Sequence, residues 1–193
     1  MSLVHLVLAH PAERSFTRDV LDAFRGGLAE AGHRATVSDL YAMGFRAEMS
    51  LEEYERESGY RADLPVAPDV RAEQRKLAAA DVWAFFYPVW WADCPAILKG
   101  WFDRVWTAGF AHHADPPVRA RKALVLCTAG YEADVLERNG VLPAMRTTML
   151  TDRIGSRAAT ADLLVLGGSA HRADHLRLAA RAGLTLGFDG PSR

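Results

Sequence analysis

The chain has 193 residues, 50% of them apolar and 24% charged, with a formal net charge of -1. That is the balance of one globular domain with a full core, and without a basic run it gives no electrostatic case for nucleic acid or an anionic membrane surface. Cys94 and Cys127 are its only cysteines, a spacing that fits neither a zinc site nor a disulfide framework, so the expected partners are small molecules or another protein.

Residues 3–9 are a short apolar run ending at His10-Pro11, which reads as a central buried strand. A helix follows, with Ser15 or Thr17 as its cap and Phe16, Val20, Leu21, Phe24 and Leu28 at helical spacing until Gly32 ends it. Residues 34–40 alternate, Ala35, Val37 and Asp39 opposing Thr36, Ser38 and Leu40, as in a strand nearer the sheet edge. Residues 41–66 are charged and irregular, and so long a connection reads as a functional or partner-contacting excursion. A short amphipathic helix over 69–80, capped by Asp69, then leads to the aromatic run 82–87, whose length suits a buried strand.

Pro88 stops that strand, and Pro95 suits the first turn of a helix with Asp93 or Cys94 as its cap. Ile97, Leu98, Trp101, Phe102, Val105 and Trp106 then share one helical face. A glycine- and proline-marked loop over 109–117 precedes a fourth apolar strand, 122–128. A helix is expected over 142–154, a fifth strand over 161–168, and a last helix from about His171 to Ala182, stopped by Gly183. Strands alternating with helices in one domain, residues 1–193, predict an α/β three-layer sandwich with helices on both faces of a parallel sheet. Five strands fit the order 2-1-3-4-5. No apolar stretch reaches the length of a membrane span, and the amino terminus lacks the pattern of a secretory leader, so a cytoplasmic location without membrane insertion is expected.

In that order the loops after the first, third and fourth strands neighbour one another where the winding reverses, the expected place of a flavin in such a sheet. The first contains His10, Ser15, Phe16 and Thr17 at a helix amino terminus, which favours a phosphate. Taken alone, His10 is also an ordinary strand terminus, and Ser15 and Thr17 ordinary caps. The second contains Pro88, Val89, Trp90 and Trp91. Adjacent residues of an extended chain point to opposite sides, so two neighbouring tryptophans cannot both face one core, and at least one is expected to meet ligand or partner. The third contains Thr128, Ala129 and Gly130. No Gly-x-Gly-x-x-Gly fingerprint occurs, which disfavours a dinucleotide-first Rossmann enzyme. No convincing set of metal ligands occurs, since His112 and His113 are adjacent loop residues.

The run Pro88-Val89-Trp90-Trp91-Ala92-Asp93-Cys94-Pro95-Ala96-Ile97-Leu98-Lys99-Gly100-Trp101-Phe102-Asp103-Arg104-Val105 resembles the second signature of the NAD(P)H:quinone oxidoreductases of flavodoxin-like fold. That family also holds small flavoproteins ancillary to potassium efflux. His10-Pro11 followed by Ser15-Phe16 is similar to its first signature, with Thr17 where asparagine is common, and Cys127-Thr128-Ala129-Gly130 partly matches its Thr-Thr-Gly-Gly. The resemblance implies FMN, with FAD as the other possibility, held at its phosphates by the first loop and at its ring by the other two. FMN is expected because the carboxyl-terminal extension of larger, FAD-binding relatives is missing.

The resemblance further implies NADPH or NADH as hydride donor, a quinone or similar flat acceptor, and a homodimer in contact through the helix after Pro95 and the 41–66 excursion. His112 stands where the family often has a substrate-contacting tyrosine that reaches across the dimer, and Tyr131 is a substitute for a tyrosine and histidine pair that handles the proton. His112 and Tyr131 are thus the candidate catalytic residues. The rival expectations are a flavin-binding regulatory subunit, favoured by the incomplete proton relay, and an electron carrier of flavodoxin type, disfavoured because such carriers are usually acidic. A redox role for Cys94 is a minor alternative, because the sequence puts no basic neighbour beside it.

Overall fold

The computed structural model describes residues 1–168 and 170–188. Five parallel strands, β1 (Leu3–Leu8), β2 (Arg34–Asp39), β3 (Val82–Pro88), β4 (Ala120–Ala129) and β5 (Ala158–Gly167), lie in the order β2-β1-β3-β4-β5. β3 is buried along its whole length, and its side chains alternate between two cores. Val82, Ala84 and Phe86 meet α1 (Phe16–Glu30) and α7 (Arg172–Thr185), whereas Trp83, Phe85 and Tyr87 meet α3 (Pro68–Ala79) and α4 (Ala96–Val105) on the other face. The period-two alternation of a strand thus fills both outer layers from one aromatic run.

Several local expectations need correction. Gly183 does not stop the last helix, which runs through it to Thr185; a Cβ at Gly183 would overlap the Phe24 carbonyl of α1, and one at Gly27 the Ala180 carbonyl of α7. The two glycines let these helices meet backbone to backbone. Asp69 does not cap α3, because Pro68 takes the first helical position and Ala67 precedes it. Pro95 itself precedes α4 at the cap position, while Asp93 accepts from the N–H of Cys94 at 2.6 Å. The helix expected over 142–154 begins as α6 (Val141–Arg146) after a short α5 (Ala133–Arg138), then widens into a π-helix, Thr147–Ile154.

On β2 the inward face is the polar one. Ser38 is buried and Val37 is 38% exposed, because Ser38 donates to Glu73 of α3 at 3.0 Å beside the buried His5 of β1. The excursion contains a helix, α2 (Leu51–Ser58), opened by a reciprocal capping box of Ser50 and Glu53. It is pinned by Arg104 of α4, which is 2% exposed and donates to Glu53 at 2.6 Å, to Asp69 at 2.6 Å and to the Arg46 carbonyl at 2.7 Å. Gly100 of α4 leaves room for the Ala47 carbonyl, which a Cβ would strike.

Candidate functional site

The loops that follow β1, β3 and β4 form one rim. The Ala9 N–H donates to the Phe86 carbonyl at 2.9 Å and the Val89 N–H to the Thr128 carbonyl at 2.8 Å. Thr17 Oγ1 and Thr128 Oγ1 are 2.8 Å apart, which ties the first turn of α1 to the end of β4. Thr17 is therefore a buried bridge between two loops, and Ser15 is the residue that caps the helix, its hydroxyl accepting from the Arg18 N–H at 3.3 Å.

Arg18 braces the first loop from the helix side. Its Nε donates to the Ala12 carbonyl at 2.7 Å, a terminal nitrogen donates to the His10 carbonyl at 3.4 Å, and the other stands 2.6 Å from Asp39. His10 Nδ1 accepts from the Ala12 N–H at 3.0 Å, so the neutral ring carries its proton on Nε2. Burial lowers the His10 pKa, and the Arg18 charge acts in the same direction. The ring is accordingly a neutral donor near pH 7. The Phe16 and Thr17 N–H groups have no acceptor within the helix, so the start of α1 carries free donors of the kind that favour an anion.

The second loop is a reverse turn. Trp90 and Asp93 exchange backbone hydrogen bonds at 2.9 and 3.1 Å, and Trp91 and Ala92 between them have φ of 51° and 62°. Positive φ at both central positions is the signature of a type I′ turn, normally taken by Asn-Gly. For two residues with a Cβ it costs about 1–2 kcal/mol each. Neither tryptophan enters the core, since Trp90 is 43% and Trp91 100% exposed. Among the described residues no acceptor meets the N–H of Trp91 or Ala92, so the turn offers two outward donors and two aromatic planes.

In the third loop Ala129 is still part of β4, its carbonyl accepting from the Gly168 N–H at 3.1 Å, and it avoids positive φ. Gly130 faces open space, and Tyr131 beside it is 70% exposed. The residues present offer what a flat ring with a phosphate tail would need: exposed planes at Trp90 and Trp91, outward N–H groups in the turn, open space at Gly130 and free donors at the start of α1.

His112 is not at this rim in its own chain. α4 runs from the rim back along the sheet for ten residues, roughly 15 Å, and His112 follows it, 3.7 Å from Glu57 of α2. Tyr60 lies against His113 beside it, tilted, at 4.2 Å between ring centroids. Cys94 does have a basic neighbour, Arg153, whose guanidinium is 3.4 Å from its sulfur. Burial outweighs that charge and pushes the thiol up to about 12, so thiolate chemistry is not available there. Among the described residues no group of three or more histidines, cysteines or carboxylates could hold a metal ion, and no helix is long and apolar enough to cross a membrane.

Sequence reasoning missed Arg18 beside the first loop and the buried Arg153 beneath the second, and it read Asp93 as a candidate helix cap where Asp93 closes the turn and pairs with Arg153. Arg153 is 60 residues from Asp93 and carries no local signal; Arg18, at the start of a helical pattern, was readable only as an exposed charge.

The sequence model of the family described as flavodoxin-like fold matches residues 2–152. NAD(P)H dehydrogenase (quinone) 1 of Rattus norvegicus is 35% identical over 154 residues, which cover 70% of this chain and 56% of that protein. The ribosyldihydronicotinamide dehydrogenase (quinone) of Pongo abelii is 33% identical over 159 residues, covering 72% of this chain and 68% of its own length. Among solved structures, an NAD(P)H:quinone oxidoreductase from Methanothermobacter marburgensis is 44% identical with a TM-score of 0.92, and the match covers 100% of this chain and 99% of that one. The chain thus spans 56% of the rat enzyme but nearly all of the archaeal one.

Proposed function

This chain belongs to the flavodoxin-like fold family, and from that premise we propose that it is a flavin-dependent NAD(P)H oxidoreductase acting on a quinone or similar flat acceptor. The observation that carries the reading is the shared rim: the Thr17 to Thr128 contact joins a phosphate corner to the strained tryptophan turn and the open Gly130 loop. The relatives named above are quinone-reducing enzymes by name; a regulatory-subunit role draws no support from them.

FMN or FAD, when bound, supplies the two-electron hydride chemistry between nicotinamide and acceptor. His10, through Nε2–H, and Ser15 with the first N–H groups of α1 hold the phosphate that both flavins share. Arg18, already engaged with Asp39 and the loop carbonyls, keeps that corner closed. Pro88, Val89, Trp90 and Trp91 would line the edge of the flavin ring, with the outward N–H groups of the turn as hydrogen-bond donors to it. Thr128, Ala129 and Gly130 form its other wall. Tyr131 is the rim group available to hold a proton. His112 meets a ring only from a second copy of the chain, so the reading includes a homodimer.

The test is reconstitution. Protein incubated with each flavin and freed of excess is expected to be yellow, to bleach anaerobically on mixing with NADH or NADPH, and to regain colour on addition of a quinone. Protein that stays colourless with both flavins overturns the proposal.

A further inference from the structure

The strained turn is held from one side by a cation that the flavin reading leaves without a task. Asp93 closes the turn, and its two carboxylate oxygens receive two nitrogens of Arg153 at 2.5 and 2.8 Å. The bidentate geometry fixes direction as well as distance. Arg153 is itself immobilised: its side chain is 8% exposed, its carbonyl accepts from the Trp106 indole at 2.7 Å, and its guanidinium lies 5.9 Å from the Phe102 ring centroid. It stands near the end of an eight-residue π-helix, a rare backbone form found mostly as single turns at functional sites. Asp93, by contrast, is 41% exposed in its side chain, and nothing in the packing of the turn requires a buried partner for it. A buried arginine from the far core thus reaches to the foot of a turn whose tip carries a fully exposed tryptophan.

We propose that Arg153, acting through Asp93, is a positioning residue for ring binding: it holds residues 90–93 in the reverse turn that presents Trp90, Trp91 and two free N–H groups. The inference rests on the flavin reading above. It is specific to the ring, because the phosphate corner is braced separately by Arg18 and Asp39 and Arg153 makes no contact there. Preorganising a binding loop raises affinity by removing the cost of ordering it at binding.

The experiment uses full-length apoprotein and three probes: FMN, lumiflavin (the ring without the phosphate chain) and inorganic phosphate as a competitor of FMN. Arg153→Met is expected to raise the lumiflavin Kd about 10-fold and Asp93→Asn about 3-fold, with Arg153→Lys between Arg153→Met and wild type. The inhibition constant of phosphate is expected to stay within about 2-fold of wild type in all three. Should Arg153→Met not fold, the more exposed Asp93→Asn decides alone. Lumiflavin affinity unchanged in every folded variant overturns the positioning role and leaves the flavin reading intact. Equal loss for lumiflavin and phosphate also overturns it, in favour of a general structural role. Wild-type protein that binds neither flavin overturns the flavin reading itself, and the proposed occupant of the turn with it.

Discussion

Ala92 occupies a backbone conformation that glycine would adopt without strain, with φ of 62° in a turn whose tip is solvent. Ala92→Gly should therefore relieve about 1 kcal/mol of left-handed strain, partly offset by greater freedom of the unfolded chain. Thermal unfolding of the apoprotein checks it: a higher midpoint for Ala92→Gly is expected, and an unchanged or lower one would count against strain at this position. A second residue-scale case is Glu73, wholly buried in the α3 layer. Burial alone would raise its pKa, but donors from His5, Lys76, Ser38 and Trp101 hold it at about 2, against an ordinary 4.5. The folded value lies below the unfolded one, so the stabilisation is complete above about pH 4.5 and is lost as pH falls through about 2. Between pH 6 and pH 3 this one group should remove about 2 kcal/mol of stability. In Glu73→Gln, urea unfolding at the two pH values should lack that increment; a pH dependence equal to wild type would count against the network as described.

Elements were legible where one physical signal dominated. The apolar runs that became β1, β3 and β4 announced buried parallel strands, alternation with helices announced the parallel sheet, and five strands fitted the order that is found. The tryptophan pair at the end of β3 was legible too, because no strand can bury both neighbours on one side. Elsewhere two signals competed. Gly183 read as a stop because glycine most often ends a helix, yet its missing Cβ serves the contact with Phe24. Gly183→Ala must push α7 off α1 and should cost about 1–3 kcal/mol, visible as a lowered thermal midpoint with the sheet and rim retained. β2 read only as an alternating strand near the sheet edge; which face is buried is decided by a polar network of His5, Ser38 and Glu73 that no local pattern announces. α2 was within reach, since Ser50 and Glu53 form a capping box, but the surrounding charge masked it. The Arg153 to Asp93 pair had no local signal, because only the completed fold brings the π-helix under the turn.

At the scale of the whole molecule, the chain's candidate residues divide between two ends. Trp91, Gly130, Tyr131, His10 and Ser15 share the rim, while His112 is beyond the far end of α4, held beside Glu57 by the excursion that Arg104 and Arg56 pin in place. The same excursion exposes Leu51, Tyr54 and Tyr60, apolar surface of the kind that a second copy would cover. If each site takes its His112 from that copy in an isologous dimer, the two ends must complement in trans. A His112→Ala chain and a chain with its rim blocked by Gly130→Trp should each be inactive as homodimers, the former reduced roughly 10²-fold in acceptor reduction if His112 donates a proton. Mixed from unfolded chains in equal amounts, about half the dimers would be hybrids, each with one intact site, so about one quarter of wild-type activity should return. An inactive His112→Ala homodimer with activity in the mixture no greater than the mean of the two homodimers would overturn the supply of His112 by the second copy, a fully active His112→Ala homodimer would place His112 outside the reaction, and a monomer in sedimentation would remove the premise. The rim itself would survive either result, because its contacts are made within one chain.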